Sequence, residues 1–256
     1  MKIVSFDLET LPDLREVMKV YAGLSAYPGL TLKATHTTII CFGYKILGEK
    51  RAHVQCAWDY PSWDKNVNDD KELCRFAYEM LHDADVVITH NGRKFDMKHL
   101  QTRLLKNGLP TLPTSIIHID TRQIASKNLF SVNNKLDTLG SHFVGERKME
   151  NGGWGLWCDV LDRDPKAQET MRKYCKQDVL LLEKLYLKLR PLIKSLPNPN
   201  SCFKGNLHCP NCSSQMLQKR GTMISKSGLR QRYLCQDCGS WSSEKISSEK
   251  VTLKPF

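Results

Sequence analysis

Residues 2–9, Lys2-Ile3-Val4-Ser5-Phe6-Asp7-Leu8-Glu9, form an apolar run that alternates toward its end and closes on two carboxylates one residue apart. Side chains on a strand point to opposite faces in turn. The pattern therefore predicts a β-strand with Asp7 and Glu9 on one face, Ile3 and Ser5 behind them, and Val4, Phe6 and Leu8 on the other. Two carboxylates held this close repel unless a cation lies between them. Hard oxygen ligands suit Mg²⁺ or Mn²⁺, ions used in phosphoryl transfer to activate water and stabilise a leaving oxygen. The plainer reading is a pair of solvated acids at a strand end. Other acids elsewhere in the chain must decide between the two.

Further elements follow from periodicity. Residues 38–44 and 52–58 read as strands of an antiparallel hairpin around Gly48-Glu49-Lys50. Residues 69–82 read as a helix with Leu73, Phe76, Ala77, Met80 and Leu81 on one face. Residues 85–89 are a short apolar strand, 94–106 a helix ended by Asn107-Gly108, and 116–119 a fifth strand. Helical segments follow near 121–128 and 135–144, and 145–163 reads as a glycine- and tryptophan-rich loop. Asp164-Pro165 then opens a long helix as N-cap and first helical residue, with Met171, Tyr174, Leu182, Leu185 and Leu189 as its stripe. This order fits an α/β sheet of about five strands with helices on its faces. The prolines and asparagines of 191–206 mark a linker.

Two later segments carry acids that could join the first pair. The turn after the fourth strand, His90-Asn91-Gly92-Arg93-Lys94-Phe95-Asp96, places Asp96 in the first turn of a helix, where an acid is also ordinary helix electrostatics. The long helix carries Tyr174 and Asp178 at i and i+4 on one face. Tyr174 alone could be core, but a carboxylate beside it on a half-buried face is costly unless paired, and a metal is one such partner.

Together Phe6-Asp7-Leu8-Glu9-Thr10, His90 to Asp96, and Tyr174-x-x-x-Asp178 resemble the three motifs of the DEDD (DnaQ-like) 3′–5′ exonucleases, tyrosine subclass, over residues 1–190. The Gly152-Gly153-Trp154-Gly155-Leu156-Trp157 segment and the C-terminal cysteines are similar to the YprB-like branch, often phage-encoded. The resemblance implies an α/β, ribonuclease-H-like mixed five-stranded sheet flanked by helices. It also implies two Mg²⁺ or Mn²⁺ held by Asp7, Glu9, Asp96 and Asp178, with Asp7 bridging them, and Tyr174 orienting the attacking water. Thr10, Asn91 and Phe95 would meet the terminal nucleotide, Asn91 by hydrogen bonding and Phe95 by packing. Arg93-Lys94 departs from the family pattern; the pair either grips a phosphate or is merely solvated. Trp154 and Trp157 either stack on bases or pack as core or lid.

Cys209-x-x-Cys212 and Cys235-x-x-Cys238 have the spacing of a four-cysteine zinc ribbon. His208 is a conceivable substitute ligand, but four cysteines are the simpler set. So short a segment buries little core, and one structural Zn²⁺ would supply its folding energy. Tyr233, Leu234 and Trp241 are expected to pack around the ribbon. The other six cysteines read as reduced thiols.

Net charge is +11, of which residues 191–256 carry +7 from 10 basic and 3 acidic residues. Lys219, Arg220, Lys226, Arg230 and Arg232 make the ribbon basic, which suits phosphate contacts, with protein docking as the other use. No run reaches the roughly 18 apolar residues of a membrane span, and the N-terminus shows no signal pattern. A cytoplasmic protein is expected, in host cytoplasm if phage-encoded. Two domains joined by a linker are expected: an exonuclease domain at 1–190, the linker at 191–206 and a zinc ribbon with tail at 207–256. The expected partner is nucleic acid, with DNA favoured over RNA, alongside replication or repair proteins and no membrane. The rival readings are an exoribonuclease using the same residues and an inactive nucleic-acid-binding module; the presence of all four acids argues against the second.

Overall fold

The computed structural model describes residues 1–11, 38–150, 153–193, 207–212, 214–226 and 228–246. The chain divides into two compact units, Met1–Lys188 and Leu189–Phe256.

The first unit is a five-stranded mixed sheet of order β3-β2-β1-β4-β5. Its strands are β1 (Ile3–Leu11), β2 (Thr38–Ile46), β3 (His53–Cys56), β4 (Val86–Thr89) and β5 (Ile117–Asp120). The β1–β2 and β2–β3 pairs are antiparallel; β1–β4 and β4–β5 are parallel. Around the sheet lie α1 (Ser62–Lys65), α2 (Lys71–Leu81), α3 (Asp96–Lys106), α4 (Thr121–Asn128), α5 (Leu136–Phe143), α6 (Trp154–Leu161) and α7 (Pro165–Leu189).

Alternation along β1 assigns the two faces. Val4, Phe6 and Leu8 join Phe42 of β2, Leu73 and Ala77 of α2, and Leu100 and Leu104 of α3 in the main core. Asp70 locks this layer. Its buried carboxylate takes 2.6 Å bonds from Nε and a terminal guanidinium nitrogen of Arg103, and 2.9 Å from the Ile39 amide. The opposite face carries Ser5, Asp7 and Glu9, which lie across from Lys45, Gly43 and Cys41 of β2. Helix α7 covers this face: Lys45 makes a buried ion pair with Glu183, and Gly43 lets Cys175 and Val179 approach the sheet. Asp164 and Pro165 start α7 as the sequence suggests, the Asp164 carboxylate accepting from the Lys166 amide at 2.9 Å.

Two local expectations are corrected. The segment 145–163 is not all loop, since Trp154–Leu161 is helical with Leu156 and Val160 buried one turn apart. Gly153 sits at its start with φ 68°; the glycine that suggested a loop is the entry to the helix. The strand expected over 52–58 is shorter, because the chain turns into a 3₁₀ helix at Ala57–Asp59. Residues 12–37 and most of the expected linker fall outside the described residues.

The second unit holds a three-stranded antiparallel sheet, β6 (Leu217–Ser225), β7 (Gly228–Cys235) and β8 (Trp241–Lys245), in the order β6-β7-β8. Tyr233 is buried as expected, but Trp241 is 58% exposed. Trp241 pairs with Leu234, one residue along β7 from Tyr233, and so lies on the other face of the sheet. No described helix is long and apolar enough to cross a membrane.

Candidate active site

β1 runs past the end of its pairing with β4, which stops at Ser5↔Ile88. Asp7 and Glu9 therefore stand beyond the neighbouring strand, facing α7. From α7 comes Asp178, and one oxygen from each of these three acids lies within 4.8 Å of the others. Asp178 is 1% exposed, and hydrogen bonds from Lys148 and Tyr174 partly offset the cost of its burial. Its one described charged partner is the Lys148 ammonium, 2.5 Å from Oδ2. A buried carboxylate within reach of two other acids is expensive without a cation among them. An all-oxygen, anionic set of three converging carboxylates fits a hard divalent cation such as Mg²⁺ or Mn²⁺.

Electrostatics point the same way. Burial, then Asp96, Glu9 and Asp178, push the Asp7 carboxyl well above the usual range. Burial and Asp178 raise Glu9 to about 8, with Lys148 pulling it back. Burial raises Asp178 too, again opposed by Lys148. For Lys148, burial works against the charge, but Asp178, Asp7 and Tyr174 outweigh it, so the ammonium is held above its ordinary value.

Tyr174, one turn before Asp178, is 7% exposed. Lys148 lies 4.8 Å from its ring centre, and Trp157 packs edge-on against it at 6.3 Å. Trp157 is thus placed as packing for Tyr174. The Trp154 backbone opens α6, and its side chain is outside the described set.

Asp96 opens α3. It is buried, and its Oδ1 accepts from the Leu8 amide at 3.1 Å. It approaches Asp7 and Glu9 electrostatically but lies outside the three-acid group. Burial raises it to about 7 against the pull of its backbone donors. In the turn before it, Asn91 adopts φ 70° and Gly92 lies against Thr89, where a Cβ would come within 2.3 Å of Oγ1. Asp120 holds this turn, accepting from the amides of Asn91 at 2.9 Å and Arg93 at 3.2 Å. The Asn91 side-chain Oδ1 accepts from Arg122 at 2.7 Å, and the Arg93 guanidinium donates to the His118 backbone carbonyl at 2.6 Å. Lys94 is exposed, Phe95 packs on His99 with ring centres 4.2 Å apart, and Thr10 follows a bulge at Glu9.

In the second unit the four sulfurs of Cys209, Cys212, Cys235 and Cys238 lie within 4.8 Å of one another. The Asn211 amide donates to Cys209 Sγ at 3.4 Å, and its side-chain nitrogen to Cys238 Sγ at 3.5 Å. Burial raises the Cys238 thiol, but bonds from Ser240 and Asn211 outweigh it and bring it down to about 6. Four clustered sulfurs receiving N–H donors suit a tetrahedral Zn²⁺, and the cluster is compatible with a zinc ribbon.

Sequence reading missed three residues here. Lys148 lies in a segment without periodicity and is brought in only by tertiary packing. Asp120 had a local signal, an acid between an apolar strand and a helix, in the manner of an N-cap. Gly43 carried none.

A family model of the RNase_H superfamily matches residues 29–190, well over half of the chain. The chain belongs to the RNase_H superfamily. The match begins after β1, so Asp7 and Glu9 lie outside it. No curated protein matches. Among solved structures the chain is similar to the family B DNA polymerase of the hyperthermophilic archaeon Pyrobaculum calidifontis, at 20% identity and a TM-score of 0.53. That match covers 75% of this chain and 25% of the polymerase, so the chain spans about a quarter of that protein's length. At this identity the likeness concerns the fold.

Proposed function

We propose that residues 1–190 are a two-metal 3′–5′ exonuclease domain of the DEDD type, tyrosine subclass, acting on single-stranded DNA. In this reading 191–206 is a linker and 207–256 a zinc ribbon that grips nucleic acid. The observation that carries the reading is the convergence of Asp7, Glu9 and Asp178 within 4.8 Å, from a strand and a helix far apart in sequence. Asp96 adds a fourth acid, buried and tethered to β1 through Leu8. The direction of attack rests on the motif resemblance.

Asp7, Glu9 and Asp178, helped by Asp96, would hold the divalent ions. Bound there, the ions would supply Lewis acidity, acidifying the attacking water and neutralising charge on the departing 3′ oxygen. The rest falls to the chain. Burial and Asp178 lift the Tyr174 phenol above its ordinary value, so it keeps its proton and orients water by hydrogen bonding rather than acting as a base. Lys148 balances part of the acidic charge in the metal-free chain. The Asn91–Phe95 turn, fixed by Asp120, borders the approach of the terminal nucleotide, with Arg93, Lys94 and Arg122 as phosphate contacts.

The test is digestion of end-labelled single-stranded DNA, RNA and duplex with Mg²⁺ or Mn²⁺. A 3′ label released first as mononucleotide, with a 5′ label giving a descending ladder, is expected. Internal scission or release from the 5′ end overturns the direction. Intact substrate with either ion and zinc-replete protein overturns hydrolysis altogether. Faster loss of RNA than DNA moves the substrate to RNA.

A further inference from the structure

We propose that one face of the ribbon sheet, formed by Arg230, Arg232, Trp241 and Lys245, is a stacking site for single-stranded nucleic acid. An unpaired base lies on the open side of the Trp241 indole, and neighbouring phosphates meet the three cations. The inference deepens the reading of the ribbon as a nucleic-acid grip and does not depend on hydrolysis.

Strand register builds the face. In an antiparallel pair, residues directly opposite share a side of the sheet. Arg230 lies opposite Lys245, Arg232 opposite Ser243, and Leu234 opposite Trp241. On β6, Met223 lies opposite Arg230 and Gln218 opposite Leu234. This side therefore carries three cations and the tryptophan, with no acid among its described residues. Glu244 projects to the other side, where Tyr233 donates to it at 3.2 Å.

Local contacts hold the face in place. Arg230 is fixed across the pair by bonds of 2.9 Å to the Ser243 hydroxyl and carbonyl. The Arg232 guanidinium lies 5.6 Å from the Trp241 ring centre. It reaches there past Gly221, where a Cβ would come within 3.8 Å of its terminal nitrogen. Trp241 remains 58% exposed. A half-open indole stacked by a cation on a basic face complements a chain of aromatic bases joined by phosphates. An apolar protein partner would leave three cations desolvated and unpaired.

The test uses the full-length, zinc-loaded chain carrying Asp7→Ala, so that substrate survives, with fluorescent (dT)15 and a 15-bp duplex as probes. Trp241→Ala is expected to weaken (dT)15 binding by about 5- to 150-fold, with a smaller effect on duplex and an unchanged salt slope. Trp241→Phe should recover much of the loss. Gln substitutions at Arg230, Arg232 or Lys245 should each lower the slope of log K against log salt by about 0.7. Zinc content per chain reports that each variant is folded. Unchanged (dT)15 affinity in zinc-replete Trp241→Ala overturns the stacking site. Should that variant lose zinc, unchanged affinity and slope across the three Gln variants overturn it instead. Competition by poly-glutamate as strong as by unlabelled (dT)15 would assign the face to acidic protein. A chain that binds (dT)15 through this face but never hydrolyses DNA would leave the inference standing and remove only the exonuclease reading.

Discussion

Gly43 sets how closely α7 approaches the sheet, and with it the position of Asp178. In the β1–β2 register Gly43 lies directly opposite Asp7. A Cβ built there would stand 2.7 Å from Cys175 Sγ, 2.8 Å from Val179 Cγ2 and 3.3 Å from the Cys175 carbonyl. Ordinary contacts between such atoms are about 3.5–4.0 Å, so Gly43→Ala must push this part of α7 outward by about 1 Å. Asp178 sits between those two residues on the helix and moves with them, while Asp7 and Glu9 stay on the strand. Overpacking of this size costs about 1–3 kcal/mol of stability. A misplacement of about 1 Å at a reacting centre costs about 10²-fold in rate. The expected signature is thus a modest fall in melting temperature with a large fall in single-turnover cleavage and in Mn²⁺ affinity measured by calorimetry. Cys175→Ala and Val179→Ala, added together to Gly43→Ala, remove both offending side-chain atoms and should restore much of the Mn²⁺ affinity, even though the core loses packing. Gly43→Ala with native Mn²⁺ affinity and native stability would refute the reasoning, since the helix would then have room the distances deny it.

Four further outcomes are expected. Asp7→Ala should abolish hydrolysis without lowering metal-free stability, because it removes an acid that its neighbours repel; melting curves beside an activity assay check both halves. Tyr174→Phe should keep Mn²⁺ affinity yet slow single-turnover cleavage by about 10²-fold, whereas a purely packing role predicts a native rate. Purified protein should contain about one zinc per chain by elemental analysis. A chain ended near Pro197 should still cleave but bind DNA more weakly and with a shallower salt slope; equal slopes would argue against a nucleic-acid role for the ribbon.

What was legible in the sequence was local. The alternation of β1 placed Asp7 and Glu9 on one face because strand geometry needs only neighbouring residues. The i, i+4 relation of Tyr174 and Asp178 needed only a helix, and Asp164-Pro165 marked its start. The two Cys-x-x-Cys pairs declared themselves by spacing. What escaped was set by tertiary placement. Lys148 reaches Asp178 from a segment without periodicity, and nothing adjacent to Gly43 reveals that α7 crosses above it. The glycine and tryptophan content of 145–163 reads as a loop, yet Trp154–Leu161 within it is a short helix that buries Leu156 and Val160. Trp241 is expected to pack around the ribbon with Tyr233, while register puts it on the opposite face, where it is exposed.

The charge balance of the first unit leads to one more measurable consequence. Asp7, Glu9, Asp96 and Asp178 are drawn together, and Lys148 is the cation described among them. One ammonium does not neutralise four carboxylates, and burial raises the proton affinity of all four. Glu9 is lifted from 4.5 to about 8 and Asp96 from 3.8 to about 7, each chiefly by burial. Because the folded values lie above the unfolded ones, the stability tied to these groups is complete below the unfolded values. It is lost as pH rises through the folded ones. The melting temperature of the metal-free chain should therefore carry a component that falls between about pH 5 and 8, and saturating Mn²⁺ should oppose it. Metal ligation requires ionised carboxylates, so Mn²⁺ binding at pH 7 should release about one proton or more, and affinity should rise with pH until the cluster is ionised. Calorimetric titration in two buffers of different ionisation heat reads the proton count directly. A heat independent of buffer at pH 7 would mean that the acids are already ionised, and that something other than a divalent ion balances them.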